Sequence, residues 1–278
     1  GVAAVRIDEV LKTPLTIKDT ETPLELKSHS GNLVFDKVHF RYPNAKEDAL
    51  FDISFVAKPG ETTAIIGGTG SGKSTLVNLI PRLYDITGGK ITLDGIDIRD
   101  LSLRTLRQEI GFVPQKGTLF SGTIASNLRF GNKDASDEEI KLAANIAQST
   151  EFIDEKSDGY ESTISQGGTN VSGGQKQRLA IARAIAKNPH LYVFDDSFSA
   201  LDLRTDSALR KSLSENVVQR IMIVVAQRIS TIIHAEQILV IDEGRIVGKG
   251  THEELMKSCQ VYQEIAYSQL SKEELSHE

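Results

Sequence analysis

A glycine-rich loop followed by a lysine and two hydroxyl residues carries the clearest chemistry in the sequence. The segment GGTGSGKST over Gly67–Thr75 satisfies the pattern G-x-x-x-x-G-K-[ST], which binds nucleotide phosphates. Glycines let successive N–H groups turn inward around an anion, and a helix beginning near Lys73 adds the positive end of its dipole. We expect Lys73 to reach the β- and γ-phosphates and Ser74 to bind Mg²⁺. The predicted phosphate-contacting residues are Gly67, Thr69, Gly70, Ser71, Gly72, Lys73, Ser74 and Thr75.

An acidic residue at the end of an apolar run supplies a second anchor for the metal. The run Leu191–Phe194 has strand length and is followed by Asp195, and carboxylate oxygens are preferred Mg²⁺ ligands. Many strands end in an aspartate, so this run alone predicts little. Together with the glycine-rich loop it predicts a nucleotide site in which Ser74 and Asp195 hold the metal.

A second anion-binding element is predicted at VSGGQKQR, over Val171–Arg178. Ser172, Gly173 and Gly174 stand at the start of a predicted helix, whose N-terminus favours anions. A simple Ser-Gly-Gly helix cap explains these residues about equally well. The segment also resembles the signature motif of ATP-binding cassette (ABC) proteins. That resemblance implies that Ser172, Gly173, Gly174 and Gln175 contact the γ-phosphate of an ATP held by an opposite cassette.

Other positions of the same family follow in order, from about Leu33 to the C-terminus. Tyr42 in FRYP resembles the aromatic residue that stacks on adenine. Gln115 resembles the glutamine that meets Mg²⁺ and relays to the membrane domain, and Asp202 in SALD resembles the residue that links two sites across a dimer. The resemblance implies ATP and Mg²⁺ as ligands and a second cassette as a head-to-tail partner.

Two positions expected to act in hydrolysis depart from the family pattern. The residue after Asp195 is usually a glutamate that orients or deprotonates the attacking water, and here it is Asp196. The missing methylene withdraws the carboxylate by about 1.5 Å, and a misplacement of about 1 Å lowers a rate on the order of 100-fold. Gln227 replaces the usual histidine, and an amide neither carries a positive charge nor shuttles a proton. The predicted catalytic residues are Gln115, Asp195, Asp196 and Gln227.

The signature, in contrast, departs from the family only at Val171, where leucine is usual. Each ATP in the family lies between one chain's phosphate loop and the other chain's signature. The chain is therefore predicted to have a slow site of its own and an intact signature for a different partner chain, like the degenerate half of a heterodimeric exporter. Two alternatives stay open. One is a homodimeric exporter cassette that turns over slowly with Asp196 and Gln227, and the other is a cytosolic cassette acting on DNA or ribosomes.

Four further segments resemble multidrug-type exporters whose membrane helices and cassette share one polypeptide. They are the opening Ala3–Leu11, Ile80–Asp85, Leu93–Leu101 and Leu119–Leu128. The resemblance implies a transmembrane domain as a partner and a position at the cytoplasmic face of a membrane. The sequence has no initiator methionine, and no apolar run reaches the roughly 18 residues of a membrane helix. We therefore expect it to be part of a longer protein.

Short apolar runs predict the strands that must position these loops. The predicted strands are Leu33–Phe40, Thr62–Ile66, Ile91–Leu93, Gly111–Val113, Leu191–Phe194, Ile221–Val225 and Ile238–Ile241. Helical patterns lie between them, including Ser136–Ala147, which begins with a capping box of Ser136 and Glu139. The alternation predicts an α/β fold with a mainly parallel sheet. The resemblance to ABC proteins implies a core of the P-loop NTPase (RecA-like) type and an antiparallel β part near the N-terminus.

The chain is predicted to divide into a linker at residues 1–30, a cassette at 31–250 and a C-terminal helical segment at 251–278. The linker contains a helix-compatible stretch at Val2–Leu11, and a capping box of Thr251 and Glu254 opens the last segment. No convincing strand is expected between Lys116 and Thr169, so a helical subdomain over about 116–187 is predicted.

Composition excludes several other classes of site. The single cysteine, Cys259, rules out a disulfide framework, and the six histidines lack ligand-like spacing. We therefore expect no metal other than Mg²⁺. The net charge of −6 argues against sequence-independent binding of nucleic acid, which needs clustered positive charge.

Overall fold

Two larger sheets and the helices around them form the fold in the computed structural model, which describes residues 2–26 and 31–269. The α-helices are α1 (Val2–Lys12), α2 (Lys73–Leu79), α3 (Leu103–Gln108), α4 (Ile124–Leu128), α5 (Asp137–Ile146), α6 (Thr150–Asp154), α7 (Gly173–Ala186), α8 (Leu203–Asn216), α9 (Ile229–Ile232), α10 (His252–Ser258) and α11 (Gln260–Gln269). The β-strands are β1 (Leu33–Phe40), β2 (Leu50–Ala57), β3 (Thr62–Gly67), β4 (Gly88–Leu93), β5 (Ile96–Asp97), β6 (Ile110–Val113), β7 (Gly122–Thr123), β8 (Thr163–Ile164), β9 (Leu191–Asp195), β10 (Ile221–Val225), β11 (Gln237–Asp242) and β12 (Arg245–Gly250).

The six-stranded sheet carries the strands that lead to the predicted site. Its order is β12-β11-β3-β10-β9-β6, and every neighbouring pair except β11 and β12 is parallel. Strand β9 is buried along its whole length, as expected for an apolar run covered on both faces. The loops after β3, β6, β9 and β10 therefore meet at one edge, where parallel strands end. The predicted α/β fold with a mainly parallel sheet is confirmed.

The four-stranded antiparallel sheet packs beside the phosphate-loop helix. Its order is β2-β1-β4-β5, and Phe35 and Phe55 stack across β1 and β2 with ring centroids 4.6 Å apart. Leu76 and Val77 of α2 belong to the same buried cluster. This sheet confirms the predicted antiparallel part near the N-terminus. Strand β2 was not predicted, because Asp52 with φ of 50° lies beside a register shift that interrupts the apolar alternation.

Helices α4 to α7 enclose a second part of the core. The residues expected to share one helix face are all buried: Ile140, Ala143, Ala144 and Ala147. The capping box of Ser136 and Glu139 is also confirmed. The expectation of no strand between Lys116 and Thr169 is wrong, because β7 and β8 pair there in an antiparallel ladder. Each has two residues, which is too short for an alternating pattern to reveal.

The two ends of the described chain are helical. Helix α1 covers the predicted stretch at Val2–Leu11, and α10 begins at the predicted capping box of Thr251 and Glu254. Gly1 and residues 27–30 of the predicted linker, and residues 270–278 of the predicted C-terminal segment, lie outside the described residues. Among the helices that are described, none combines the length and apolar character needed to cross a membrane.

Candidate nucleotide-binding site

The phosphate loop connects β3 to α2, as the sequence predicts. Helix α2 begins at Lys73, and no side chain caps it at Gly72, whose φ is 107°. That angle lies in the left-handed region that favours glycine. A Cβ on Gly67 would lie 2.0 Å from the carbonyl oxygen of Ile241, so β11 leaves no room for a side chain there. The loop therefore presents uncapped N–H groups at a helix N-terminus, which is an anion-binding geometry.

The ammonium group of Lys73 lies inside this loop. Its Nζ donates to the carbonyl oxygens of Gly67, at 2.9 Å, and Gly68, at 2.7 Å. Burial lowers the pKa of Lys73, and the negative charges of Asp196 and Asp195 partly oppose that effect. A half-buried cation whose neighbours are loop carbonyls is well placed to meet an anion in the same loop.

Ser74 and Asp195 come together as the sequence predicts for a metal anchor. The Ser74 Oγ donates to Asp195 Oδ1 at 3.1 Å, although the residues are far apart in sequence. Burial raises the pKa of the Asp195 carboxyl, and the neighbouring Asp196 raises it further, while Ser74 and Lys73 act in the opposite direction. A buried carboxylate beside a hydroxyl is an oxygen-donor set that suits Mg²⁺, which binds through few protein ligands and the substrate phosphates. In the described part of the chain no group of three or more His, Cys, Asp or Glu side chains forms another metal cluster.

Two amide side chains converge on Asp196. Gln115 Nε2 donates to Asp196 Oδ2 at 2.9 Å, and Gln227 Nε2 donates to the same oxygen at 2.6 Å. Asp196 follows β9 with φ of 48°, and its N–H donates to the carbonyl of Val225 at the end of β10. Three of the predicted catalytic residues therefore lie in one cluster at the sheet edge. The hydrogen bond of Gln115 goes to Asp196 and not to the predicted metal anchors.

Tyr42 lies beside the phosphate loop and belongs to an aromatic group. Its hydroxyl is 2.9 Å from Thr75 Oγ1, and its ring meets Phe40 and Tyr84 edge-on, at centroid distances of 4.8 Å and 5.3 Å. Tyr84 was not predicted as a site residue, although it stands within the segment Ile80–Asp85 that resembles exporters. An aromatic surface next to the loop suits a nucleotide base.

The turn between β11 and β12 also supports the loop and was missed by the sequence analysis. The N–H of Gly244 donates to the carbonyl of Ser71 at 3.0 Å. A Cβ on Gly244 would lie 2.4 Å from the carbonyl oxygen of Ala49. An isolated glycine in a polar turn gives no sequence indication of such a contact, because its partners lie far away in the chain.

The predicted signature lies at the start of α7 and is held by local bonds. Ser172 Oγ accepts from the N–H of Gln175, and Gln175 Oε1 accepts from the N–H of Ser172, which forms a capping box. Ser172 and Gly173 are exposed. Asp202 caps α8 through the N–H and hydroxyl of Thr205, and those hydrogen bonds lower the pKa of its carboxyl. The signature and Asp202 therefore stand at the surface and not in this chain's own phosphate loop.

A mainly parallel sheet with a phosphate loop after one strand, and at the end of another an aspartate that meets the loop's serine, defines a P-loop NTPase. The sequence model of the family described as ABC transporter matches residues 50–199, which is more than half of the 278 residues. The chain belongs to the ABC transporter family. The predicted family and fold class are confirmed.

Similar proteins extend the comparison over nearly the whole chain. An uncharacterized ABC transporter ATP-binding protein of Mycobacterium tuberculosis is 47% identical over 97% of this chain and 47% of its own length. An ATP-dependent lipid A-core flippase of Methylobacillus flagellatus is 42% identical over 84% of this chain and 40% of its own length. The solved structure of a bacterial Atm1-family ABC exporter with ATP bound superimposes with a TM-score of 0.92 at 34% identity, over 98% of this chain and 47% of that one. The chain thus spans about half the length of these relatives.

Proposed function

We propose that the chain is the ATP-binding cassette of an exporter, and that it pairs with a second cassette and hydrolyses ATP slowly at its own site. The observation that carries the proposal is the cluster at Asp196, where the Gln115 and Gln227 amides share one carboxylate oxygen beside a complete phosphate loop. The site has every group needed to bind Mg-ATP. Asp196 and Gln227, the groups that would activate the attacking water, are poor substitutes for the glutamate and histidine usual at these positions.

ATP binding is supported by groups that face one edge of the sheet. The N–H groups of the loop and Lys73 would hold the phosphates, Tyr42 would stack on adenine, and Ser74 and Asp195 would hold Mg²⁺. Bound Mg²⁺ would neutralise charge between the phosphates. Gln115 donates to Asp196 through Nε2 at 2.9 Å, so its Oε1 is the atom that would bind Mg²⁺.

Slow hydrolysis is supported by the hydrogen bonds of Asp196. Its Oδ2 already accepts from two amides, so both lone pairs of that oxygen are occupied and a water would have to bond to Oδ1 or displace an amide. Its side chain is also one methylene shorter than glutamate, so it reaches about 1.5 Å less far toward a water. Gln227 can donate to a γ-phosphate but cannot carry the proton that a histidine would.

A second cassette is supported by the position of the signature. Ser172 and Gly173 are exposed, and the N-terminus of the fourteen-residue helix α7 faces outward with them. An anion-binding end away from the chain's own loop is available to a nucleotide on another chain. The pairing would be head-to-tail, with each signature completing the opposite site, and the division into a slow and a fast site would require a different chain as the partner.

A transmembrane domain is supported by a groove beside α7 that is lined by both apolar and basic side chains. The groove has a volume of about 410 Å³ and is lined in part by Leu83, Phe112, Phe130 and Arg183. Phe130 is 62% exposed and stacks on Phe120 at a centroid distance of 4.3 Å, so an apolar edge stands open to a partner. The relatives are about twice as long as this chain, and their additional half would supply the docking segment on the cytoplasmic side of a membrane.

Calorimetric titration with Mg-ATP tests the binding site. Lys73→Ala should weaken binding more than about 100-fold, because the loss of a charged hydrogen bond to phosphate costs about 1.5–3 kcal/mol and long-range attraction is lost as well. Lys141→Ala removes the same charge from an exposed position of α5 and should leave affinity unchanged. Equal affinity of wild type and Lys73→Ala would refute the site. ATP turnover that rises with the square of the chain's concentration to rates typical of an active ATPase would favour the homodimeric alternative.

A further inference from the structure

The C-terminal helix α11 reaches the loop that carries Gln227. Gln269 Nε2 donates to the carbonyl oxygen of Gln227 at 2.7 Å, and Gln269 Oε1 accepts from the N–H of Ile229 at 2.9 Å. One side-chain amide thus binds the backbone on both sides of Arg228. Gln227 in turn donates its own side-chain amide to Asp196 at 2.6 Å. A continuous set of hydrogen bonds runs from α11 to the candidate catalytic cluster.

The loop between β10 and α9 has little local stabilisation, so it depends on the hydrogen bonds from Gln269. Helix α9 spans only Ile229–Ile232, and its N-cap residue Arg228 makes no side-chain cap. The Arg228 side chain instead donates to the carbonyl of Ser199 at 3.2 Å. Gln269 therefore supplies, from a distant helix, an acceptor for the N–H of Ile229, one of the first-turn N–H groups that have no partner within the helix.

The helix that carries Gln269 is itself anchored in the main core. Tyr262 and Ala266 are fully buried, and they share a helix face with Gln269 because the spacing is four and then three residues. The Tyr262 hydroxyl lies 2.8 Å from His252 Nδ1 in α10. A helix fixed at these points can set the position of a loop and not merely cover it.

We propose that Gln269 is a positioning residue that sets the reach of Gln227 toward the γ-phosphate, an inference that rests on the proposed ATP site. The carbonyl of Gln227 is held by α11, so its side chain extends from a fixed backbone toward Asp196. Without Gln269 the peptide group of Gln227 can rotate. The side-chain amide of Gln227 is then no longer directed toward Asp196. The C-terminal helix then acts as a support for γ-phosphate recognition.

The first test measures the loop without nucleotide, through amide hydrogen exchange of Ile229. Gln269→Leu removes both bonds at nearly constant volume and should speed exchange by about tenfold or more, because the amide loses its acceptor. Gln269→Glu keeps an oxygen for the Ile229 N–H and should retain the protection. Gln263→Leu is the control, since Gln263 donates its side-chain amide from the same helix to the carbonyl of Met256 and not to this loop. Unchanged exchange in Gln269→Leu would overturn the proposal.

The second test measures discrimination between ATP and ADP, which reports on the γ-phosphate alone. Gln269→Leu should lower the ratio of ADP to ATP dissociation constants by about threefold to tenfold, as expected for a weakened hydrogen bond to a charged group, with ADP affinity unchanged. Gln269→Glu should lower the ratio equally despite its protected Ile229, because its second carboxylate oxygen repels the Gln227 carbonyl. If Gln269 only capped α9, the Gln269→Glu variant would have the same ratio of dissociation constants as the wild-type chain.

A double-mutant cycle separates positioning through Gln227 from general support of the fold. In a Gln227→Ala background, Gln269→Leu should change the ratio no further. An equal effect in both backgrounds, or no effect of Gln227→Ala itself, would overturn the proposal. If the wild-type chain bound neither ATP nor ADP, the proposed function itself would be refuted. Failure of the proposed function is therefore distinguishable from failure of the proposal for Gln269.

Discussion

Restoring the family's usual catalytic pair is expected to accelerate hydrolysis at this chain's own site. The double variant Asp196→Glu with Gln227→His changes two side chains that now bond to each other at 2.6 Å. It removes one of the two amide donors on the carboxylate and adds a methylene. The new carboxylate can then approach a water at the γ-phosphate while Gln115 still donates to it.

The size of the effect follows from the reach of the side chain. The methylene adds about 1.5 Å, and correcting a misplacement of about 1 Å is worth on the order of 100-fold, or about 2.7 kcal/mol of barrier. The backbone opposes the change slightly, because position 196 has φ of 48° and Asp tolerates the left-handed region better than Glu. We therefore expect the unfolding temperature to fall by roughly 2–4 °C, corresponding to about 1 kcal/mol.

The assay is ATP turnover at chain concentrations where two copies pair, together with the two single variants. The double variant should be about 10- to 100-fold faster than wild type, and the single variants should lie between. ATP dissociation constants should stay within about threefold, since the phosphate loop is untouched and a histidine at position 227 can still donate to the γ-phosphate. Turnover that remains at the wild-type level in demonstrated dimers would refute the reasoning that these two side chains limit hydrolysis.

Three further changes test the binding site. Tyr42→Phe should keep ATP affinity within about threefold, whereas Tyr42→Ala should weaken it about tenfold or more, because stacking on a base is worth about 1–3 kcal/mol; calorimetry measures both. Gly67→Ala should lower the unfolding temperature and ATP affinity, whereas Gly68→Ala should not, because a Cβ on Gly68 meets no atom within 4 Å. Asp195→Asn should raise the unfolding temperature of the nucleotide-free chain at neutral pH and abolish stabilisation by Mg²⁺ with ATP, because a raised carboxyl pKa means that the fold disfavours its charged form.

Motifs with local rules were predictable from the sequence. The phosphate loop, the capping boxes and the buried strand β9 each follow from residues that are neighbours in the chain. The parallel order then explains why Ser74 meets Asp195. Strand β3, which leads to the loop before Ser74, and strand β9, which ends in Asp195, end at the same edge of the sheet. The convergence of Asp196 and Gln227 follows in the same way from the adjacent strands β9 and β10.

Contacts between distant segments were not predictable. Strand β12 has no buried residues, and its glycines are typical of a loop. It is a strand because it pairs with β11, a cause that its own sequence does not indicate. The contacts of Gly244 with the phosphate loop and of Gln269 with the Gln227 loop join segments with no common pattern. In such cases the residue type permits many partners, and tertiary packing selects one of them.

The signature of this chain is expected to matter more for turnover than its own catalytic residues. Ser172 and the N–H groups of Gly173 and Gly174 would stabilise charge on a γ-phosphate held by the partner, an electrostatic role worth a few kcal/mol. Ser136→Ala is the matched control, because it removes a similar capping box from α5, a helix that contributes no residue to the proposed nucleotide sites. It should leave turnover unchanged, which separates loss of a helix cap from loss of the signature.

The most direct measurement compares ATP turnover in the complete transporter, assembled with its partner chain, for two variants of this cassette. Ser172→Ala with Gly174→Asp should nearly abolish turnover, because it would damage the site that we propose to be competent in the partner. Asp196→Asn should reduce turnover only modestly, because it alters the site that we propose to be slow. A larger loss in Asp196→Asn than in the signature variant would contradict the proposed division between a slow site and a fast one.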